Sequence, residues 1–287
     1  MPAPALLSIE RLTVRVPEKE RIGGGDGDLT LVEDLTLQIR AGERVALVGE
    51  SGSGKSITAR AILRLDPHLT LGGSIDWDGR ELIGAPHHVL RGIRGAEISM
   101  IFQDPMTALN PVLTIGEQVA EPLLVRGVSK KEAYRRAAEM LDRLRVPKAK
   151  ERLRAYPGQF SGGMRQRVVM AAALIAQPRL LIADEPTTAL DVRVQEQVLD
   201  ILEEQSRELN LAVLFITHDL AIVAGLAQSV AVMFRGRLVE QQPVDDLFAH
   251  PQHPYTRGLI GSVPRLDADP GVRLKTVADY LKEGSAA

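Results

Sequence analysis

The chain has 287 residues, enough for one large domain or two modest ones with a substantial buried core. Lysine and arginine number 35 against 37 aspartates and glutamates, so the formal net charge is −2 and the composition does not indicate a nucleic-acid partner. Cysteine is absent, which excludes disulfides, thiolate catalysis and cysteine-ligated zinc or iron–sulfur clusters.

No part of the sequence has the pattern of a membrane span or a secretion signal. The longest purely apolar run, 168–176, is far shorter than the ~20 residues that cross a bilayer. The opening residues, MPAPALLSIE, lack a basic segment followed by an apolar core. We therefore expect a protein that works on the cytosolic side.

The first part of the chain has the pattern of strands that lead into a tight loop and a helix. Two stretches, LLSIERLTVRV and LTLVEDLTLQI, are rich in alternating apolar and β-branched residues, which predicts a strand pair joined through a glycine-rich loop. The apolar run at 43–49, ERVALVG, predicts a buried strand, and 55–65 is compatible with a helix. This order begins a βαβ unit.

Helical spacing dominates from about 105 to 176. Ser129, followed three residues later by Glu132, predicts a capping box at the start of one of these helices. After 179, the apolar strands LLIAD and LAVLFIT alternate with amphipathic helices, as expected for a parallel sheet covered on both faces. We therefore predict an α/β core with a helical insertion, followed from about Pro243 by an extension with one short helix at most.

A glycine-rich segment between the predicted strand and helix matches the phosphate-loop pattern GxxxxGK[ST]. Glycines let backbone N–H groups surround a phosphate chain at a helix N-terminus. A chance match has a probability of roughly one in a hundred for a chain of this length. Lys55 would reach the β- and γ-phosphates, and the Ser56 hydroxyl would ligate Mg²⁺. The predicted ATP-binding residues are Gly49, Glu50, Ser51, Gly52, Ser53, Gly54, Lys55 and Ser56.

Polar residues follow three of the predicted strands. Asp184 and Glu185 end an apolar strand, where Asp184 suits Mg²⁺ and Glu185 suits activation of a water molecule. Gln103 and His218 end two further strands, and either could by itself be an ordinary loop residue. The carboxyl ends of strands are where ligands bind in open α/β sheets, so we predict that all four belong to one site.

Residues 160–167, FSGGMRQR, resemble the signature motif of ABC-type ATPases, and the other motifs have the order and spacing of that family. The resemblance implies a P-loop NTPase fold, with an ABC nucleotide-binding domain at 6–245. It also implies an antiparallel β subdomain, a helical subdomain at about 105–176 and a C-terminal extension at 246–287. The residues implied to contact ATP in trans are Ser161, Gly162, Gly163 and Met164, and Asp191 closes the D-loop at 189–191.

The same resemblance implies a mechanism. Two cassettes pair head to tail around two ATP molecules, each site combining one chain's phosphate loop with the other's signature. Glu185 is then the general base, and His218 holds the γ-phosphate and the water in line. Gln103 ligates Mg²⁺ and reports to a membrane partner.

Several segments resemble dipeptide, oligopeptide and nickel importers in particular. These segments are 102–111 (FQDPMTALNP), 160–167, 184–191 (DEPTTALD) and the tail segment 250–257 (HPQHPYTR). The resemblance implies ATP and Mg²⁺ as cofactors, two permease subunits, a second ABC ATPase of the same or another kind and, indirectly, a solute-binding protein. It places the chain peripherally on the cytoplasmic side of the cell (inner) membrane.

The chain departs from the family pattern in three ways. No aromatic residue lies near Val16, where relatives often stack the adenine, and Met164 replaces the commoner glutamine. Many relatives carry a cysteine-bearing tail, but this chain has no cysteine, so we expect no iron–sulfur cluster.

We interpret the sequence as the ATPase subunit of an importer for peptides, or for nickel or similar small solutes. The first alternative is a soluble ABC ATPase that serves no transporter, although the insertions typical of repair proteins and a second cassette are both missing. The other alternative is a P-loop kinase, against which the signature motif argues. The tail is expected to dock on the nucleotide-binding domain and support assembly, without a part in the chemistry.

Overall fold

Ten strands and eleven α-helices lie within residues 4–20, 27–187, 191–262 and 279–280, which are the residues that this computed structural model describes. The strands are β1 (Ala5–Val16), β2 (Leu29–Arg40), β3 (Arg44–Val48), β4 (Thr70–Trp77), β5 (Arg80–Glu81), β6 (Ile98–Ile101), β7 (Leu180–Asp184), β8 (Ala212–Thr217), β9 (Ser229–Phe234) and β10 (Arg237–Pro243). The helices are α1 (Lys55–Ile62), α2 (His87–Ile93), α3 (Pro105–Ala108), α4 (Ile115–Leu124), α5 (Lys130–Arg143), α6 (Ala149–Arg152), α7 (Gly162–Leu174), α8 (Val192–Glu208), α9 (Leu220–Leu226), α10 (Val244–Ala249) and α11 (Pro254–Gly261).

The chain divides into two units, each built from segments that are distant in the sequence. The phosphate-loop unit takes its residues from 5–39, 44–83 and 216–287. The signature unit takes its residues from 1–4, 40–43 and 84–215. Each unit therefore depends on contacts between parts of the chain that a local sequence pattern does not connect.

The antiparallel sheet of the phosphate-loop unit has the strand order β2-β1-β4-β5. The predicted strands at 6–16 and 29–39 correspond to β1 and β2, which are neighbours, as expected. A register shift between Glu10 and Thr13 marks a β-bulge in β1 opposite β4. At this bulge a Cβ atom on Gly73 would lie 2.4 Å from the carbonyl oxygen of Arg11, so only glycine allows the close approach.

A second group of strands positions the phosphate loop. β3 runs parallel to β9, with Val48 opposite Val232, and β10 returns antiparallel to β9. Residues 45–48 of β3 are buried, which fits a strand read as a continuous apolar run. Because β3 ends at Val48, opposite Val232, the last residues of β9 lie beside the loop that follows β3.

In the signature unit, parallel pairing brings two strand ends together. β6 pairs with β7 in parallel, with Ile101 opposite Ala183, and β8 is the next neighbour of β7. Every residue of β7 is buried. The parallel register places the residues that follow β6 and β7 at the same edge of the strands.

The helices of the signature unit confirm the predicted helical stretch, with one correction at a cap. Helix α7 packs against α3, α4, α5 and α8. Ser129 caps α5 by accepting a hydrogen bond from the Glu132 N–H, but the reciprocal bond of a capping box is not formed. The Glu132 carboxylate instead accepts hydrogen bonds from Arg135 and Arg136, which lower its pKa to about 2. A full capping box occurs at Thr114, at the start of α4.

The C-terminal extension contains two helices in its described part, where the sequence predicts one at most. Helix α11 begins at Pro254, whose fixed φ angle suits the first helical turn, and His253 caps it by accepting a hydrogen bond from the Tyr255 N–H. The longest described helix is α8, with 17 residues. Nowhere in the described chain is a helix both long and apolar enough to span a bilayer.

Candidate active site

The phosphate loop follows β3 and ends where α1 begins at Lys55. A Cβ atom on Gly49 would lie 2.2 Å from the Met233 carbonyl oxygen, so this position requires glycine. Gly54 adopts a φ of +106°, which side chains other than glycine's rarely tolerate. The loop therefore has the backbone conformation that binds a phosphate chain, and it leads into the N-terminus of a helix, whose N–H groups favour an anion.

Lys55 lies inside this loop. Its side chain is 5% exposed, and its ammonium group donates hydrogen bonds to the carbonyl oxygens of Gly49 and Glu50, at 2.8 and 2.9 Å. A third contact, at 3.4 Å, joins it to the Ser53 hydroxyl. The geometry puts a buried positive charge at the loop, which is the charge that a polyphosphate attracts.

Other segments of the phosphate-loop unit hold the loop from outside. The Gly236 N–H, in the turn between β9 and β10, donates to the Ser53 carbonyl at 2.9 Å. The Thr58 hydroxyl of α1 donates to the Gly54 carbonyl at 2.9 Å. The Glu50 N–H donates to the hydroxyl of Tyr255, a residue of the C-terminal extension, at 2.8 Å. The loop shape is therefore fixed by its protein neighbours.

The carboxylates at the end of β7 differ in environment. Asp184 is buried, with 4% of its surface exposed. Glu185 leaves the strand with a φ of +46°, an uncommon conformation for a residue with a side chain and one that is enriched at functional sites. The Gln103 side-chain amide donates to the Glu185 carboxylate at 2.9 Å. The structure thus brings together two predicted site residues that are 82 positions apart.

The signature residues begin α7. The Ser161 hydroxyl caps the helix by accepting a hydrogen bond from the Met164 N–H at 3.4 Å. Ser161 and Gly162 are exposed at this helix start, which suits contact with a molecule outside the unit. The Met164 sulfur accepts a hydrogen bond from Arg152, whose guanidinium group also lies over the Phe160 ring.

The signature also contacts the start of α8. A Cβ atom on Gly163 would lie 2.3 Å from a methyl carbon of Val194, so the two helices approach closely here. Asp191 caps α8 by accepting a hydrogen bond from the Val194 N–H at 3.0 Å. The rest of the predicted D-loop, at 189–190, lies outside the described residues. Val194, which no motif marks, therefore joins the signature to the D-loop aspartate.

His218 follows β8 and lies exposed in the phosphate-loop unit. The Thr217 hydroxyl before it accepts a hydrogen bond from the Asp219 N–H at 3.0 Å, which forms a tight turn around the histidine. The predicted position at a strand end is therefore the one that the structure gives.

The residues predicted to hold Mg²⁺ have suitable chemistry. Mg²⁺ prefers oxygen ligands and is held through one or two carboxylates together with substrate phosphates. The Ser56 hydroxyl, the Asp184 carboxylate and the Gln103 amide oxygen are such donors. Since the Gln103 nitrogen is the atom bonded to Glu185, its oxygen is the one that can face a cation.

One contact of the phosphate loop was not predicted from the sequence, from which we expected the tail to have no part in the chemistry. Tyr255 is fully buried, and burial raises its pKa even though its hydroxyl accepts the Glu50 hydrogen bond. No spacing rule connects residues that are 205 positions apart. The His-Pro-Tyr sequence itself was the available signal.

Comparison with family models and curated proteins identifies close relatives. The ABC transporter model matches residues 32–188, and the model described as the C-terminal region of oligopeptide/dipeptide transporters matches 239–283. The oligopeptide transport ATP-binding protein OppD of Escherichia coli is 49% identical over 93% of this chain and 78% of its own length. The dipeptide transport ATP-binding protein DppD of Bacillus subtilis is 50% identical over 84% and 73%.

Solved structures support the same relationship. A dimeric ATP-binding cassette in a post-hydrolysis state, bound to ADP and phosphate, is 27% identical with a TM-score of 0.72, over 83% of this chain and 98% of that chain. A subunit of the CbiONQ ABC transporter complex of Clostridium perfringens is 25% identical with a TM-score of 0.72, over 90% and 96%. Together with the phosphate loop, the Gln103–Glu185 pair and the signature helix, these matches show that the chain belongs to the ABC transporter family of ATP-binding proteins.

Proposed function

We propose that this chain is the ATP-hydrolysing subunit of an importer that takes up peptides. The observation that carries the proposal is that the chain matches two family models, the ABC transporter model and the model of the C-terminal region of oligopeptide/dipeptide transporters. Relatives that match over most of the chain are named for oligopeptide and dipeptide transport. Peptides are therefore the proposed solute class, ahead of nickel.

The phosphate loop binds ATP through its backbone N–H groups and Lys55. The buried ammonium group of Lys55 meets the β- and γ-phosphates, and the glycines keep side chains away from them. Ser161, Gly162, Gly163 and Met164 of a second cassette contact the same nucleotide in trans. The exposed start of α7 supports this assignment, since its N–H groups favour an anion.

Glu185 acts as the general base. It takes a proton from water while the water oxygen bonds to the γ-phosphorus and the bond to the bridging oxygen breaks, which yields ADP and phosphate. Gln103 orients the carboxylate through the hydrogen bond already described, and His218 holds the γ-phosphate and the water in line. Asp191 connects the site to the second cassette.

Ser56, Asp184 and Gln103 are the residues that would hold Mg²⁺. When bound, the ion neutralises phosphate charge that develops during transfer. No iron–sulfur cluster is part of the proposal, because the chain has no cysteine to ligate one.

The proposed assembly contains two permease subunits, a second ABC ATPase and, indirectly, a solute-binding protein, with no nucleic acid. The chain binds the permeases peripherally, on the cytoplasmic side of the cell (inner) membrane. Residues 6–245 form the nucleotide-binding domain, 105–176 its helical subdomain and 246–287 the extension.

The test is uptake of a radiolabelled tripeptide by cells that lack this chain. Cells complemented with the wild-type chain should regain uptake, whereas cells complemented with Lys55→Ala should not. Nickel uptake is measured in the same cells. If the wild-type chain restored nickel uptake and left peptide uptake unchanged, the proposed solute class would be contradicted. If cells that lack the chain had lost neither peptide uptake nor nickel uptake, a role in import would be contradicted.

A further inference from the structure

The C-terminal extension reaches the phosphate loop, a contact that its family description does not explain. Building on the proposed function, we propose that Tyr255 is a positioning residue for ATP binding. Its hydroxyl fixes the first turn of the phosphate loop through the backbone N–H of Glu50. The His-Pro-Tyr segment is then part of the nucleotide-binding apparatus as well as a docking element.

The contact itself has good geometry. The Glu50 N–H donates to the Tyr255 hydroxyl at 2.8 Å, near the usual distance for a hydrogen bond to oxygen. The Tyr255 ring is fully buried and stacks on Phe234, with 4.2 Å between ring centroids and an angle of 29° between planes. A buried, stacked ring has little rotational freedom, so its hydroxyl is a fixed acceptor.

Glu50 links this acceptor to Lys55. Its N–H is held by Tyr255, while its carbonyl oxygen accepts a hydrogen bond from the Lys55 ammonium group at 2.9 Å. Both polar backbone atoms of one loop residue are therefore fixed. Loss of the Tyr255 bond would release the residue that helps to aim the ammonium group.

The extension is built to hold Tyr255 in place. Glu240, in β10, accepts hydrogen bonds from the N–H groups of Gln252 and His253, at 2.8 and 2.9 Å. The His253 ring nitrogen then accepts the Tyr255 N–H at 3.2 Å, and Pro254 occupies the first helical position of α11. Each residue of the His-Pro-Tyr sequence thus has a defined part: His253 caps, Pro254 starts the helix, and Tyr255 reaches the loop.

Tyr255→Phe removes the hydroxyl and keeps the stacked ring, so it is the direct test. Removal of one hydrogen bond partner corresponds to about a fivefold change in an equilibrium constant. We therefore expect the dissociation constants of ATP and ADP to rise about fivefold in the full-length variant, measured by calorimetry at a temperature where both proteins are folded. The KM for ATP should rise by a similar factor while kcat at saturating ATP stays unchanged, since the hydroxyl touches the loop and not the attacking water.

Tyr134→Phe is the matched control, because it removes the hydroxyl of a tyrosine in α5 of the signature unit. Its nucleotide affinities should equal those of the wild type. Tyr255→Leu removes the ring as well as the hydroxyl, and a folded Tyr255→Leu chain should bind nucleotide more weakly than Tyr255→Phe. If Tyr255→Leu does not fold, the affinity of Tyr255→Phe alone tests the proposal.

A purely structural role for Tyr255 would lower the unfolding temperature and leave nucleotide affinity unchanged. That result for Tyr255→Phe would overturn the inference, as would a loss of kcat without a change in KM. If the wild-type chain bound no ATP, the proposed function would fail instead, so the two failures are distinguishable.

Discussion

Lys55 places a buried positive charge among backbone carbonyl oxygens, and its effect can be tested by a single substitution. Lys55→Ala removes that charge and should reduce ATP hydrolysis by at least about a hundredfold, the usual cost of losing one preorganised donor to a transition-state oxygen. The measurement is phosphate release at saturating ATP. Lys131→Ala, which removes an exposed lysine of α5, serves as the control and should hydrolyse ATP normally. Equal turnover in both variants would contradict the phosphate-loop assignment.

The sequence predicts the site residues well where each lies in a local motif. Residues 49–56 could be assigned because glycines, a lysine and a serine at fixed spacing have one common use. The contacts between residues of different motifs could not be predicted. Neither the hydrogen bond from Gln103 to Glu185 nor the contact between Gly163 and Val194 follows from spacing, because each depends on tertiary packing.

Among the elements, α7 and α8 approach closely at Gly163. Gly163→Ala would bring a methyl group within 2.3 Å of the Val194 side chain, so either this side chain or the helices must shift. Overpacking of this kind costs about 1–3 kcal/mol. We expect the free energy of unfolding in urea, measured without nucleotide, to fall by that amount.

Gly158→Ala is the control for this prediction, because a Cβ atom at Gly158 would have no atom within 4 Å. Its free energy of unfolding should differ little from that of the wild type. If both variants were equally stable, the close approach of α7 and α8 would be wrong.

Glu240 makes the attachment of α11 sensitive to acid. Burial by itself would raise the pKa of this carboxyl group, but the hydrogen bonds that it accepts outweigh burial and lower the pKa from 4.5. Because the folded-state pKa lies below the unfolded one, the stabilisation is complete above about pH 4.5 and is lost as the pH falls through the lowered value. The free energy of unfolding should therefore depend more steeply on pH below about 4.5 in the wild type than in Glu240→Gln.

The comparison needs a second carboxylate as a control. Glu10→Gln, which changes an exposed residue of β1, is that control. Identical acid profiles for the wild type and Glu240→Gln would contradict a role for this carboxylate in attaching the helix.

The strands and helices around the phosphate loop and the carboxylates could be predicted from the sequence, whereas β4, β9, β10 and the second helix of the extension were not predicted. The strand β4 was missed because it contains Gly72 and Gly73, and glycine is uncommon in strands. Gly73 is required there by its close approach to the bulge in β1, which the sequence of β4 does not show. The capping box expected at Ser129 failed for a different reason. Two arginines one turn later offer Glu132 stronger partners than the backbone does.

At the scale of the whole molecule, the proposed mechanism requires two cassettes. Glu185→Gln removes the base but keeps an oxygen that can accept the hydrogen bond from Gln103. The variant should therefore bind ATP without hydrolysing it, and ATP with Mg²⁺ should hold it as a closed dimer. Light scattering after size exclusion, with ATP and with ADP, checks this expectation.

The wild-type chain under the same conditions is the control, and hydrolysis should keep its dimer fraction low. A Glu185→Gln chain that stays monomeric with ATP and Mg²⁺, both alone and when mixed with the second ATPase of the proposed importer, would contradict the head-to-tail arrangement.

The bond between Glu50 and Tyr255 also affects the order of events during synthesis. It joins residues 205 positions apart, and a ribosome adds about 5–20 residues per second. About 10–40 s therefore separate the translation of the phosphate loop from that of the tyrosine that fixes it. During this interval the nascent chain carries the complete loop sequence without Tyr255. From the proposed role of Tyr255, we expect full nucleotide affinity only after α11 has left the ribosome.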